Sequence, residues 1–106
     1  MVGVEISVEV RPDKRDEFLQ AIETLRPLGD EGKHCDSQEI YEDRGQRNRF
    51  LWVERWQDNG LLQTRLGSDR FRALLGAVKV LGTVGDMQVV VATVWHDAKD
   101  TNVEAE

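Results

Sequence analysis

The 106-residue chain holds one cysteine, two prolines and no apolar run long enough to span a membrane. Each scarcity excludes something. A lone Cys35 cannot close an internal disulfide, and metal centres normally draw on more soft ligands than one thiolate. The missing apolar run, with no charged-then-apolar leader at the start, predicts a soluble cytoplasmic protein without a membrane partner. Basic residues are also short, 14 against 20 acids for a net charge of −6, which argues against nucleic acid or an anionic membrane as the partner.

What charge there is lies unevenly. From Arg44 to Arg72 seven arginines face only Glu54, Asp58 and Asp69, a local balance of +4 that leaves −10 elsewhere. Such a basic middle suits an anionic small ligand, or mixed surface pairs. The length fits one compact domain, read here as residues 1–96, with 97–106 as a polar, acidic tail. A domain this small buries a modest share of its surface, so a partner subunit would help it.

Hydrophobic periodicity gives the elements. Val2, Val4, Ile6, Val8 and Val10 alternate with Gly3, Glu5, Ser7 and Glu9, the pattern of a strand with one buried face. Asp13 is placed to cap a helix that starts near Lys14, carries Phe18, Leu19, Ile22 and Leu25 at helical spacing, and stops before Pro27. "CDSQEIYED" and "FLWVERW" read as two strands joined by the turn-rich "DRGQRNR". Asp58 and Ser68 can each cap a helix, so the second helical region is split at Gly67-Ser68. After "GTVGD", "MQVVVATVW" reads as a last strand, apolar on both faces. The order β-α-β-β-α-β is the ferredoxin-like α+β plan, an antiparallel sheet with helices on one face. The sheet's other face needs cover, which a homodimer through that face would supply.

The stretch "FLWVERW" poses the chemical question. Phe50, Trp52, Glu54 and Trp56 share one strand face, so a carboxylate sits between two indoles on a row that reads as buried. Buried charge is costly unless paired, and Arg65 on the following helix is the expected partner.

The run "FLWVERW" followed by "QDNGLLQTRLGSDRFRALLGAV" resembles the antibiotic biosynthesis monooxygenase family, of dimeric α+β barrel type. Glu54-x-Trp56, Asp58, Leu62, Ser68 and Phe71 carry the likeness, with weaker support from Pro12, Phe18 and "HCDSQEIYED". The resemblance implies a homodimer with a cavity between sheet and helices in each subunit. It also implies, for some members, oxidation of aromatic phenols to quinones by dioxygen with no metal or flavin. Where many members carry His on the short helix this chain has Arg65, and the inward row of the first strand offers no Asn. Both departures argue against haem degradation, since a guanidinium does not ligate iron as imidazole does.

The candidate catalytic residues are Glu54, Arg65 and His34, and the candidate substrate-binding residues are Trp52, Trp56, Phe50 and Phe71. Glu54 could take a phenol or enol proton, or simply hold Arg65 in place. Arg65 could receive a developing oxyanion, since it cannot act as a base. His34 is the mid-chain group whose type titrates near neutrality. The indole and phenyl rings could hold a planar substrate, or form core alone. Two functions follow: a cofactor-independent monooxygenase acting on an aromatic or quinol-type molecule, and a non-catalytic dimeric ligand-binding or stress-associated protein on the same fold.

Overall fold

A computed structural model describes residues 2–91. Strand β1 (Val2–Val10) leads through a 3-10 turn (Pro12–Lys14) into helix α1 (Arg15–Leu25). A second 3-10 turn (Gly29–His34) opens β2 (Cys35–Glu42), which pairs with β3 (Arg49–Trp56). Helices α2 (Asn59–Leu66) and α3 (Asp69–Leu81) then precede β4 (Gly82–Val91). The sheet order is β2-β3-β1-β4, and every neighbouring pair is antiparallel. This is the ferredoxin-like α+β architecture, its helices packed on one face.

The alternation in β1 sets the layers. Val2, Val4, Ile6, Val8 and Val10 are all buried and meet the apolar stripes Phe18 and Ile22 of α1 and Phe71, Leu74, Val78 and Leu81 of α3. The capping signals of the second helical region hold. The Asp58 side chain accepts from the Leu61 backbone N–H at 2.9 Å, and the Ser68 hydroxyl accepts from the Phe71 N–H at 3.2 Å. Each restores one of the donors a helix start leaves unpaired, so the chain breaks into two helices at Gly67-Ser68.

Two expectations are corrected. Asp13 caps nothing: it lies inside the 3-10 turn begun by Pro12, and α1 starts at Arg15 with no side-chain cap. "GTVGD" is not a break either, because β4 already begins at Gly82. A register shift between Ile6 and Val8 lets β4 carry Gly85 past Ser7, an irregularity that alternation alone cannot reveal. The last residues of "MQVVVATVW" lie outside the described region, as does the tail at 97–106.

On the face away from the helices, Tyr41 and Leu51 remain exposed. Met87 and Val89, in register with Ile6 and Val4, are also about half exposed.

Candidate functional site

Glu54 pairs across β3 with Val4 on one side and Gln38 on the other, in the middle of the sheet's helix-facing surface. It is fully buried, at 0% exposure. A bare carboxylate there would cost several kcal/mol (~2–7 for even a neutral polar group), so the fold must supply donors. It supplies five. Arg65 Nε donates to Oε1 at 3.0 Å and Arg65 Nη2 to Oε2 at 2.7 Å, the bidentate fork that a guanidinium makes best. Trp56 Nε1 donates to Oε1 at 3.0 Å and Trp52 Nε1 to Oε2 at 2.9 Å. Gln38 Nε2 approaches Oε2 at 3.5 Å, the longest of the set.

The strand explains both indoles. Residues 52, 54 and 56 share a face, so each tryptophan can bend its N–H back to the carboxylate between them. The helix explains the arginine. Asp58 starts α2, Leu62 is buried at 0% exposure, and Arg65 follows three places on, over the same face. Arg65 is itself 1% exposed, and its guanidinium lies over the Phe71 ring at 5.1 Å from the centroid.

This geometry constrains the chemistry. A carboxylate has roughly four lone-pair positions, and four close donors occupy them. Glu54 therefore meets a proton donor from outside only where a donor can be displaced, and Gln38 is the weakest held. Gln38 reads in the sequence merely as an unremarkable polar residue; its pairing with Glu54 across β2 and β3 gives it its place.

The remaining candidates fall into three settings. Phe50 is buried beside Phe18, ring centroids 4.9 Å apart, and Phe71 is buried under Arg65. The space between sheet and helices beside Phe50 and Trp52 is only about 10 Å³, room for about one water. His34 is exposed at the end of its 3-10 turn and, beside two of Glu54's donors, lines a pocket of about 60 Å³ with Trp56, Leu61, Thr64 and Arg65. An open groove of about 480 Å³ lies between the end of α1, the 29–34 turn and β2. Arg26, Cys35 and Gln38 line it. Arg26 donates from Nη2 to the Gln38 carbonyl at 2.7 Å and stacks over Trp52 at 5.8 Å. Burial pushes the Cys35 thiol up to about 11, so it stays protonated near neutrality and is no nucleophile there.

A second polar cluster, at the far end of β2, was not legible in the sequence. Arg15 Nη2 donates to Glu42 Oε1 at 2.8 Å, and the Asn48 backbone N–H donates to Glu42 Oε2 at 2.8 Å. These contacts pull the Glu42 carboxyl down to about 2. Asn48 takes a positive φ of 70°, which asparagine tolerates, and so closes the β2–β3 turn. Among the described residues no group of three His, Cys, Asp or Glu is placed to hold a metal ion, and no helix is long and apolar enough to cross a membrane.

The model of the family described as "Antibiotic biosynthesis monooxygenase" matches residues 1–77, which takes in β1 through most of α3. The chain belongs to the antibiotic biosynthesis monooxygenase family. Among its relatives is the Bacillus subtilis protein named "Putative monooxygenase YcnE", 25% identical over 81 residues that span 76% of this chain and 85% of that one. An uncharacterized protein of Synechocystis is 32% identical over 56 residues, 53% of this chain but only 38% of its own length. A crystal structure titled for an antibiotic biosynthesis monooxygenase superposes with a TM-score of 0.72 at 20% identity, covering 91% of this chain and all (100%) of that one. A conserved protein from Methanosarcina mazei superposes equally well, at a TM-score of 0.72 and 22% identity over 84% of this chain and 89% of that chain. At these identities the structural likeness establishes the shared fold, and the reaction has to be argued from the site.

Proposed function

We propose that this family member is a cofactor-independent monooxygenase acting on an electron-rich aromatic or quinol-type molecule. The observation that carries the proposal is the link between groove and buried carboxylate through Gln38, whose amide lies at 3.5 Å from Glu54 on one side and lines the groove on the other. A groove of about 480 Å³ is within the range that accommodates a small aromatic ligand. The interior space of about 10 Å³ is not, so the ring is proposed to rest on the Arg26 side of Trp52 rather than between the two indoles.

In this reading a substrate hydroxyl replaces Gln38 and donates to Glu54 Oε2. The proton shifts toward the carboxylate as the ring anion forms, and Arg65 with Trp52 and Trp56 holds the charge in place. The anion passes one electron to dioxygen, and the radical pair recombines as a peroxide. Where the reacting carbon began as CH₂, as in an anthrone, the peroxide R₂CH–OOH then loses water to leave a ketone: four electrons leave the carbon, one oxygen atom stays on it and the other departs as water. His34, exposed beyond Trp56, is proposed to exchange the protons with solvent. Trp56, Phe50 and Phe71, all buried, would back Arg65 and Trp52 from the core side without touching the ring. A homodimer through the sheet face would cover Tyr41 and Leu51, both exposed in the single chain.

The rival reading, a dimeric ligand-binding protein without chemistry, draws on one specific observation: the saturated hydrogen bonding of Glu54. Oxygen uptake by purified protein across anthrones, quinols and catechols separates the two. The monooxygenase reading requires uptake above the buffer rate on at least one class, with product oxygen derived from ¹⁸O₂. It also requires a loss of ten-fold or more in Arg65→Ala. No uptake on any class, with ligand binding retained, would leave the binding protein.

A further inference from the structure

One nitrogen of Arg65 is left over. The guanidinium carries five N–H donors; Nε and Nη2 serve Glu54, while Nη1 is buried and has no hydrogen-bond partner among the described residues. Phe71 covers the guanidinium face at 5.1 Å but offers no acceptor in its plane. Buried donors without partners are rare in folded proteins, and each calls for a missing acceptor. Next to this arginine lies the pocket of about 60 Å³, walled by Arg65, Trp56, His34, Leu61 and Thr64. The wall residues supply no carboxylate to fill the role: the Trp56 N–H is turned to Glu54, and the Thr64 hydroxyl donates to the Gly60 carbonyl at 3.1 Å.

We propose that this pocket is a binding site for a small oxyanion of two to four heavy atoms, with one oxygen accepting from Arg65 Nη1. The volume excludes an aromatic ring and suits a molecule the size of formate, nitrite or superoxide. Glu54 already balances the arginine's charge, so recognition rests on the directed N–H bonds and the shape of the pocket rather than on a net positive field, and affinity is modest. The apolar flanks of Trp56 and Leu61 keep competing water sparse. The site is distinct from the groove at Arg26 and does not depend on turnover of an aromatic substrate.

Titration with sodium formate and sodium nitrite at constant ionic strength, chloride making up the balance, tests it. The readouts are the ¹⁵N–H signals of Arg65 and the tryptophan fluorescence. Saturable shifts in the millimolar range are expected, with chloride alone producing none. Arg65→Lys keeps a cation beside Glu54 but removes Nη1, and should weaken binding at least ten-fold. Thr64→Phe, at an exposed helix position, fills the pocket without touching the ion pair and should do the same, so a failure of Arg65→Lys to fold does not decide the matter. A linear, chloride-like response would overturn the proposal. So would saturation unchanged in Thr64→Phe, or a crystal grown in 50 mM formate showing only water at Nη1. Because the readout is binding, a silent oxygen-uptake assay leaves this result standing, and the reverse holds as well.

Discussion

Removing Arg65 and Glu54 together should cost clearly less than the sum of removing each alone. Both side chains of the pair are at 0% exposure, and the carboxylate's two shortest charge-assisted contacts come from the guanidinium. In Arg65→Leu the carboxylate stays buried with two indoles and one distant amide, a change that costs about 3–5 kcal/mol in buried pairs. Glu54→Leu removes the acceptor of two tryptophan N–H groups as well as of the guanidinium, and each orphaned neutral donor adds about 1–3 kcal/mol. It should therefore be at least as damaging. The double variant buries no charge and keeps the volume apolar, so it should recover about 2–3 kcal/mol of the summed losses. Urea unfolding followed by tryptophan fluorescence, at one protein concentration so that any association is held fixed, measures all four corners of the cycle. With a slope of about 2 kcal/mol per M, each single variant should move its midpoint by about 2 M. A midpoint shift under about 0.5 M for Arg65→Leu, or strict additivity in the double variant, would refute the account.

Three further outcomes follow from the structure. The Glu42 carboxyl, depressed to about 2 from 4.5 mainly by Arg15, contributes stability that is complete above pH 4.5 and fades as pH falls toward 2; Glu42→Gln should flatten unfolding midpoints across that window. Cys35, with its thiol raised to about 11 chiefly by burial, should react with a disulfide reagent at pH 8 at least a hundred-fold more slowly in the native protein than in urea. Gly82→Ala would set a Cβ 2.3 Å from the Glu9 carbonyl oxygen, a backbone atom that cannot step aside, and should cost about 1–3 kcal/mol in the same urea assay.

Periodicity made most of the fold legible, because β1 and the two long helices each present an unbroken apolar row to one core. Asp58 and Ser68 were readable for a related reason: their caps are local, satisfied within three residues. Asp13 misled because Pro12 starts a 3-10 turn that uses up the first residues of the helix. The start of β4 misled because glycine and aspartate, ordinary turn residues, here serve a bulge beside Ser7. At the site the Glu54–Arg65 pair was legible, since a carboxylate on a buried row demands a cation and Arg65 is the one basic residue of the short helix that follows it. Arg26 and the Arg15–Glu42–Asn48 cluster were not, because each depends on how α1 lies against β2, and Gln38 was not, because its place depends on which residues stand opposite one another across β2 and β3, and register is invisible in composition.

That register also redirects the chemistry. A carboxylate between two tryptophans suggests a ring held between the indoles, yet both indole N–H groups point at Glu54 and the interior holds about 10 Å³. The tryptophans therefore act on the carboxylate as hydrogen-bond donors, and their rings are committed to the core. An ion pair this deeply buried adds little net stability over apolar residues of the same volume. Its retention is better explained by what it orients: a fixed oxygen, Oε2, facing Gln38 and the groove on one side, and a guanidinium with one nitrogen to spare on the other. In the proposed reaction the two sides divide the labour, the groove receiving the organic molecule and the small pocket the oxyanion. Gln38→Leu would separate them: the loss of a displaceable amide should impair binding in the groove and leave formate binding at Arg65 intact. Equal loss at both sites would mean that the carboxylate and the arginine work as a single pocket.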